Sequence, residues 1–334
     1  MEEQIAMREK LLEIENLYVQ YNTDEAIVHA VNGLSLTLHK GESLGLVGET
    51  GAGKSTTALS ILRLLPDKVG EITEGSILYD GIDIIRADRG TMQKIRGARI
   101  SMVFQDPMTS LNPIIPVGKQ IYEVLELHFP DMTREQKEEK VDEILELVGI
   151  QKSRKGDYPH QFSGGMKQRI VIAMALVAEP ELLLADEPTT ALDVTIQAQI
   201  LKLMQELQQK FNTSMLLITH DLGVVAEFCE NVAVVYAGEV IEKGSVEDIF
   251  TKAKNHPYTE GLFHSIPDLT SNVKRLTPIP GYMADPSNLP KGCKFADRCT
   301  YCEERCRQEA PGVYREGTHE IKCFLYEKKG GDLQ

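Results

Sequence analysis

The chain has 334 residues, of which 42% are hydrophobic and 26% charged, with a formal net charge of -14. One hydrophobic core usually stops growing below that length, so one large domain with a smaller appendage is expected, and the composition excludes collagenous, low-complexity or extensively disordered character. The acidic balance argues against general binding to nucleic acid or anionic membranes, because both rely on basic surfaces.

The N-terminus, Met1-Glu2-Glu3, lacks the basic start and apolar stretch of a secretory signal. The longest apolar run, Ile170 to Ala178, has nine residues, about half of the ~18 that suggest a membrane span. A chain that works in the cytoplasm and does not itself cross a bilayer is expected. Leu12 to Leu17 and Leu34 to Leu38 alternate with the period of half-buried strands and suggest an antiparallel layer. Ser43 to Val47 reads as a continuous apolar strand, and Thr56 to Leu65 as a helix stopped by Pro66. Further buried strands are expected at Ile100 to Phe104, Leu182 to Ala185 and Met215 to Ile218, each ending at a polar residue, where ligands of parallel α/β sheets gather. Before the second of these, Thr133-Arg134-Glu135-Gln136 resembles a capping box, followed by the apolar stripe Val141, Ile144, Leu145 and Val148. After about residue 254, Pro257, Pro267, Pro278, Pro280, Pro286 and Pro290 interrupt any long element, and a loop-rich appendage is expected.

Between the expected strand and helix lies Gly48-Glu49-Thr50-Gly51-Ala52-Gly53-Lys54-Ser55, followed by Thr56. Glycines at this spacing let backbone N–H groups curl around phosphate oxygens, and the next helix adds its positive end. Lys54 would reach the β- and γ-phosphates and the Ser55 hydroxyl would ligate Mg²⁺, as in a Walker A loop. Downstream, Leu182 to Ala185 closes on Asp186 and Glu187. Asp186 suits a contact to Mg²⁺, and Glu187 suits orienting or deprotonating an attacking water.

Phe162-Ser163-Gly164-Gly165-Met166-Lys167-Gln168-Arg169 resembles the signature of ABC ATPases. With Gln105, Asp186-Glu187, Ala191-Leu192-Asp193 and His220 in order, it makes the full set of that family over roughly residues 10 to 250. The resemblance implies a P-loop ABC ATPase domain over 1–254. It would have a mainly parallel core sheet, an antiparallel β subdomain and a helical subdomain at about 106–180. It also implies that Ser163, Gly164 and Gly165 of one subunit cap the ATP held by another in a head-to-tail dimer. Gln105 would link Mg²⁺ and the water to the transmembrane contact surface, His220 would sense the γ-phosphate, Asp193 would contact the opposite subunit, and Tyr21 would stack on adenine. Phe162 and Met166 stand where the family usually has Leu and Gln, and the loss of that amide puts one side-chain contact to the trans nucleotide in doubt, though not the backbone contacts.

The closer resemblance is to the ATP-binding subunits of dipeptide/oligopeptide importers, which share the Phe-Ser-Gly-Gly-Met form. Asn255-His256-Pro257-Tyr258-Thr259 looks like the motif that opens their C-terminal extension, here 255–334, although read bare it is only a turn. The implied partners are two transmembrane permease subunits, a second ATP-binding subunit that is identical or homologous, and indirectly an extracytoplasmic peptide-binding protein. The implied place is the cytoplasmic face of the cell membrane, peripherally. The same motor could serve nickel or another small cargo. A soluble ABC ATPase of DNA repair or translation would need a long heptad insertion, a tandem cassette or a basic surface, none of which the sequence has.

Five of the six cysteines fall in the last 42 residues, a clustering that in a reducing compartment points to metal ligation before disulfides. Cys293, Cys299, Cys306 and Cys323 match positions that can hold a [4Fe–4S] cluster in the importer family. Four thiolates suit either iron–sulfur or zinc, and Cys299-x2-Cys302 is a possible zinc knuckle. A structural tie for a segment with little periodic core is the expected role, with redox sensing as the rival. The segment 291–329 has nine Lys/Arg against seven Asp/Glu, a basic excess that would partly compensate a cluster's charge. Cys302 is the unmatched thiol, and Cys229 follows Val224, Val225 and Phe228 as an expected core cysteine.

Overall fold

The computed structural model describes residues 8–190, 192–251, 254–265 and 278–327, with Pro107 and Met108 described by their backbone alone. Met1-Glu2-Glu3, Ala191, Pro267, Lys328 and Lys329 lie outside the described residues. The strands in chain order are β1 (Lys10–Asn22), β2 (Ile27–His39), β3 (Ser43–Val47), β4 (Gly70–Tyr79), β5 (Ile82–Asp83), β6 (Ile100–Val103), β7 (Leu182–Asp186), β8 (Ser214–Thr219), β9 (Asn231–Tyr236), β10 (Glu239–Ser245), β11 (Tyr314–Glu316) and β12 (His319–Ile321). The chain divides into two compact units. One holds Leu12–Thr37, Leu44–Leu78 and everything from Thr219 onward, and the other holds Leu38–Ser43 and Tyr79–Ile218 together with the residues up to Leu11.

In the unit that carries the glycine loop, β1 and β2 are hydrogen-bonded neighbours, with β4 on the other side of β1. The turn between β1 and β2 is closed by the Thr23 N–H donating to the Ala26 carbonyl, a connection too short for anything but an antiparallel pair. β3 runs parallel to β9, from Leu44 opposite Asn231 to Val47 opposite Val234. All five residues of β3 are buried, as expected of an unbroken apolar run with both faces covered. β9 turns back into antiparallel β10, with a bulge between Val240 and Glu242. The proline-interrupted extension then adds the hairpin β11–β12 to the edge of β10, pairing Glu242 with Ile321 and Lys243 with Glu320. Its residues Tyr258 and Phe295 sit in the same apolar cluster as Val47, Val225 and Val234. Tyr236, Tyr258 and Phe295 meet edge to face, with centroids 4.8 to 5.4 Å apart. Cys229, expected in the core, is half-buried at the rim of this cluster.

The other unit holds the parallel strands β6, β7 and β8, with Ile100 opposite Leu182 and Leu182 opposite Ser214. Its helices include Val117–His128, Arg134–Leu147, Gly164–Leu176 and Val194–Phe211. The capping box at Thr133 is present in both directions: the hydroxyl accepts from the Gln136 N–H, and the Gln136 side chain accepts from the Thr133 N–H. The stripe Val141, Ile144, Leu145 and Val148 is buried. Phe104, expected to end a strand, is exposed beyond the end of β6. Among the described residues no helix is long and apolar enough to cross a membrane.

Candidate functional site

The glycine loop connects β3 to the helix Lys54–Ile61. That helix starts two residues earlier than Thr56 and ends four before Leu65, because Arg63 adopts a left-handed φ of 50°. Two glycines are sterically required. A Cβ on Gly48 would lie 2.2 Å from the Val235 carbonyl oxygen, and one on Gly53, whose φ is 98°, would lie 2.3 Å from that of Ala30. No side chain caps the helix at Gly53, which leaves its first N–H groups to an anionic ligand. Lys54 is buried, and its ammonium donates to the carbonyls of Gly48 at 2.7 Å and Glu49 at 3.0 Å, which bends the loop around it. Thr50, Gly51 and Ser55 are exposed, whereas Ala52 is buried. Tyr21 is half-buried, and its hydroxyl shares a hydrogen bond of 3.1 Å with the Thr56 hydroxyl, so the aromatic expected at adenine adjoins the loop's far end. His220, in the same unit, follows β8 and is exposed.

In the other unit Asp186 ends β7 and is buried, while Glu187 is the first residue beyond it. Glu187 has a φ of 45° and anchors its N–H to the Ile218 carbonyl at 2.8 Å. Its Oε2 accepts two hydrogen bonds of 2.9 Å, from Gln105 Nε2 and from the Thr190 hydroxyl. Gln105 and Glu187, far apart in sequence, are thus brought together. Thr190 went unnoticed in the sequence; the available signal was a hydroxyl three residues after a strand-end carboxylate, within reach of a tight turn.

Ser163 is the N-cap of the helix Gly164–Leu176, its hydroxyl accepting from the Met166 N–H, and both Ser163 and Gly164 are exposed. Gly165 has no room for a side chain, since a Cβ there would come within 2.7 Å of Ile196 Cγ2. The two departures from the family pattern share one neighbour. The Arg154 guanidinium lies 4.1 Å from the centroid of the Phe162 ring, and its Nη1 is 3.9 Å from Met166 Sδ. Asp193 is exposed and caps the helix Val194–Phe211 by accepting from the Ile196 N–H at 3.0 Å.

The cysteines sort into two groups. Cys293, Cys299, Cys306 and Cys323 line one cavity of about 330 Å³, which Cys302 does not line. The Cys302 thiol points instead to the Glu303 carbonyl, at 3.5 Å. Among the described residues no group of three or more His, Cys, Asp or Glu side chains is gathered as tightly as a single metal ion needs. Burial pushes the Cys293 thiol up to about 11 and that of Cys323 up to about 12, and it raises Cys299 as well. The basic excess of the segment is largely consumed by carboxylates. Lys294 and Lys322 pair with Glu239, Arg298 with Glu49, Arg305 with Glu327, Arg307 with Asp297 and Arg315 with Glu320. Asn255-His256-Pro257-Tyr258-Thr259, a turn when read bare, opens the helix Pro257–His264, capped by His256 Nδ1 accepting from the Tyr258 N–H at 3.0 Å.

Comparison with known proteins converges on the same chemistry. Residues 31–190 match the family described as ABC transporter, and residues 241–306 that described as oligopeptide/dipeptide transporter, C-terminal region. The oligopeptide transport ATP-binding protein AppD of Bacillus subtilis is 46% identical, covering 96% of this chain and 98% of its own length. The dipeptide transport ATP-binding protein DppD of the same organism is 49% identical, covering 96% of each. Among solved structures, a post-hydrolysis dimer of the ATP-binding cassette MJ0796 bound to ADP and Pi superposes with a TM-score of 0.63 at 29% identity, covering 71% of this chain and 99% of that one. Identity near one half, sustained over almost the whole length of these relatives, carries with it the fold and activity of an ABC-type ATPase. The chain belongs to the ABC transporter family, on its oligopeptide/dipeptide transporter branch.

Proposed function

We propose that this chain powers a dipeptide or oligopeptide importer from the cytoplasmic face of the membrane. It would work with two permease subunits and a second ATP-binding subunit, and receive peptide through an extracytoplasmic binding protein. The observation that carries this reading is the oligopeptide/dipeptide C-terminal region matched over 241–306, in the same chain as the ABC transporter match over 31–190. Residues 1–254 form the motor in this reading, and 255–334 the importer-specific extension.

The glycine loop binds the triphosphate through its backbone N–H groups and Lys54, while Tyr21 stacks on adenine. Ser55, Gln105 and Asp186 supply hydroxyl, amide and carboxylate oxygens, the hard donors that Mg²⁺ takes, and the bound ion would neutralise charge on the phosphates. Glu187 orients and deprotonates the attacking water, with its carboxylate held by Gln105 and Thr190. His220 senses the γ-phosphate. Ser163, Gly164 and Gly165 present a hydroxyl and helix-start N–H groups to the nucleotide of the second subunit, and Asp193 lies at that contact. Two bound ATPs hold the pair closed, and hydrolysis releases it.

The four thiols that line one cavity suit an iron–sulfur cluster or zinc by their chemistry, and the likeness to the importer family favours the cluster. Four thiolates are the ligand set such a cluster takes, and these four share the lining of a cavity of about 330 Å³. Cys293, Cys299, Cys306 and Cys323 would hold a [4Fe–4S] cluster, whose cationic irons favour the thiolates that burial alone disfavours. The role assigned to it is a structural tie.

The test is made on the transporter assembled with its permease subunits. Glu187→Gln is expected to lower kcat for ATP by about 10²- to 10⁴-fold while ATP binding persists. Normal turnover would remove Glu187 from its role. Failure of peptide-loaded binding protein to stimulate ATPase activity, where nickel-loaded receptor succeeds, would overturn the peptide cargo.

A further inference from the structure

The glycine loop is gripped from the C-terminal extension at its second residue. The Glu49 N–H donates to the Tyr258 hydroxyl at 2.9 Å. The Glu49 carboxylate takes a two-pronged contact from Arg298, with Nη1 donating to Oε2 at 2.6 Å and Nη2 to Oε1 at 3.0 Å. Arg298 is 7% exposed and Tyr258 fully buried, so neither is a loose surface partner. Arg298 is itself fixed: its Nε donates to the Pro280 carbonyl at 2.9 Å, and its guanidinium lies 5.8 and 5.9 Å from the ring centroids of Tyr236 and Phe295. It sits on the 3₁₀ turn Ala296–Arg298, between Cys293 and Cys299 on the cavity wall. The same segment reaches the loop again at Met283, whose methyl would lie 3.0 Å from a Cβ placed on Gly51.

This contact does two things for a loop that must receive a polyanion. It cancels a carboxylate in the loop that would otherwise repel the phosphates, and the planar fork does so with one defined geometry. It also holds one backbone position in place before nucleotide arrives, so less conformational entropy is lost on binding. We propose that Arg298 and Tyr258 are positioning residues of the phosphate loop, through which the cysteine-bearing extension sets nucleotide affinity. The proposal rests on residues 48–56 being the nucleotide loop.

The experiment measures KM and kcat for ATP hydrolysis by the assembled transporter, with direct ATP binding alongside. Arg298→Ala is expected to raise KM about tenfold and leave kcat within about twofold, one decade being a modest share of a buried charge-assisted contact. Adding Glu49→Gln to Arg298→Ala should recover about threefold of that loss, because the neutral amide no longer repels phosphate, whereas a merely structural role for Arg298 predicts no recovery. Arg298→Lys should fall between the parent and Arg298→Ala, since a point charge neutralises without the fork. Tyr258→Phe, which deletes one hydroxyl and keeps the packed ring, should raise KM about threefold and serves if Arg298→Ala fails to fold. An unchanged KM in both Arg298→Ala and Tyr258→Phe, or no recovery in the double variant, overturns the proposal. A Lys54→Ala control separates the two readings: retained ATP affinity in that variant would mean that the loop itself is misassigned.

Discussion

Glu187 adopts a left-handed backbone conformation that costs a residue with a side chain roughly 1–2 kcal/mol. It is held there by its own N–H on the Ile218 carbonyl and by donors from Gln105 and Thr190 on its carboxylate. Strain that the surroundings over-determine in this way suits the water-orienting role proposed for Glu187. The residue type and its place after an apolar strand were readable from the chain. The backbone conformation was not, because only tertiary hydrogen bonds sustain it. His256 is a second residue whose behaviour depends on its surroundings. It is buried, with Nδ1 accepting from the Tyr258 N–H, its own N–H on the Glu242 carboxylate and its ring 5.7 Å from that of Phe295. Burial lowers its pKa from near 6.5 to about 3. Between those values the unfolded chain binds the extra proton, so the neutral histidine contributes stability that is fully present above 6.5 and is lost as the pH falls below it. At pH 5.5 the loss amounts to about 1.4 kcal/mol. His256→Asn keeps an acceptor for the cap and does not titrate. Urea denaturation at pH 7.5 and 5.5 is therefore expected to show a stability drop smaller than the parent's by about that amount.

Contiguous elements were the most legible. β3 occupies Ser43–Val47 as read from its unbroken apolar run, and the capping box at Thr133 opens the expected helix. Periodicity and capping are local, so the residues that decide them lie within a few positions of one another. The hairpin β11–β12 was hidden, since three-residue strands carry too little alternation to read and exist only by pairing with β10. The helix after the glycine loop also starts two residues before Thr56, because its cap is backbone geometry at Gly53 and not a side chain. Gly53 accordingly tolerates no substitution. Gly53→Ala would strain a φ of 98° and push a methyl against the Ala30 carbonyl. ATP affinity should fall more than about tenfold, together with thermal stability, the left-handed strain alone being worth about 1–2 kcal/mol. Calorimetric titration with ATP and a thermal scan check this, and parental affinity would mean that the loop relaxes elsewhere.

Across the whole molecule, the extension is more than an appendage by sequence texture. Tyr258 and Phe295 complete the apolar cluster around β3 and β9, and β12 extends the pairing of β10. Among its described residues the extension lacks a periodic core of its own around the thiol-lined cavity, which is where the proposed cluster would contribute folding free energy. On the proposed cluster assignment, anaerobically prepared transporter carries iron and visible iron–sulfur absorption, and Cys299→Ser is expected to abolish both and to expose 278–327 to limited proteolysis; a parent without iron overturns the assignment. Cys302→Ser should match the parent in all three. An extension that stays protease-resistant in the Cys299 variant would leave the metal without a structural role. By itself the sequence placed the glycine loop at 48–55, the acidic pair Asp186–Glu187 and the Ser163-Gly164-Gly165 run, because each is a short contiguous stretch recognisable from its own residue types. Only the tertiary structure decided that Glu49 meets Arg298, 249 positions away, and that four of the five clustered thiols share a cavity while Cys302 does not. The physical reason is that such contacts follow from the path of the packed chain, and no local period or spacing encodes that path.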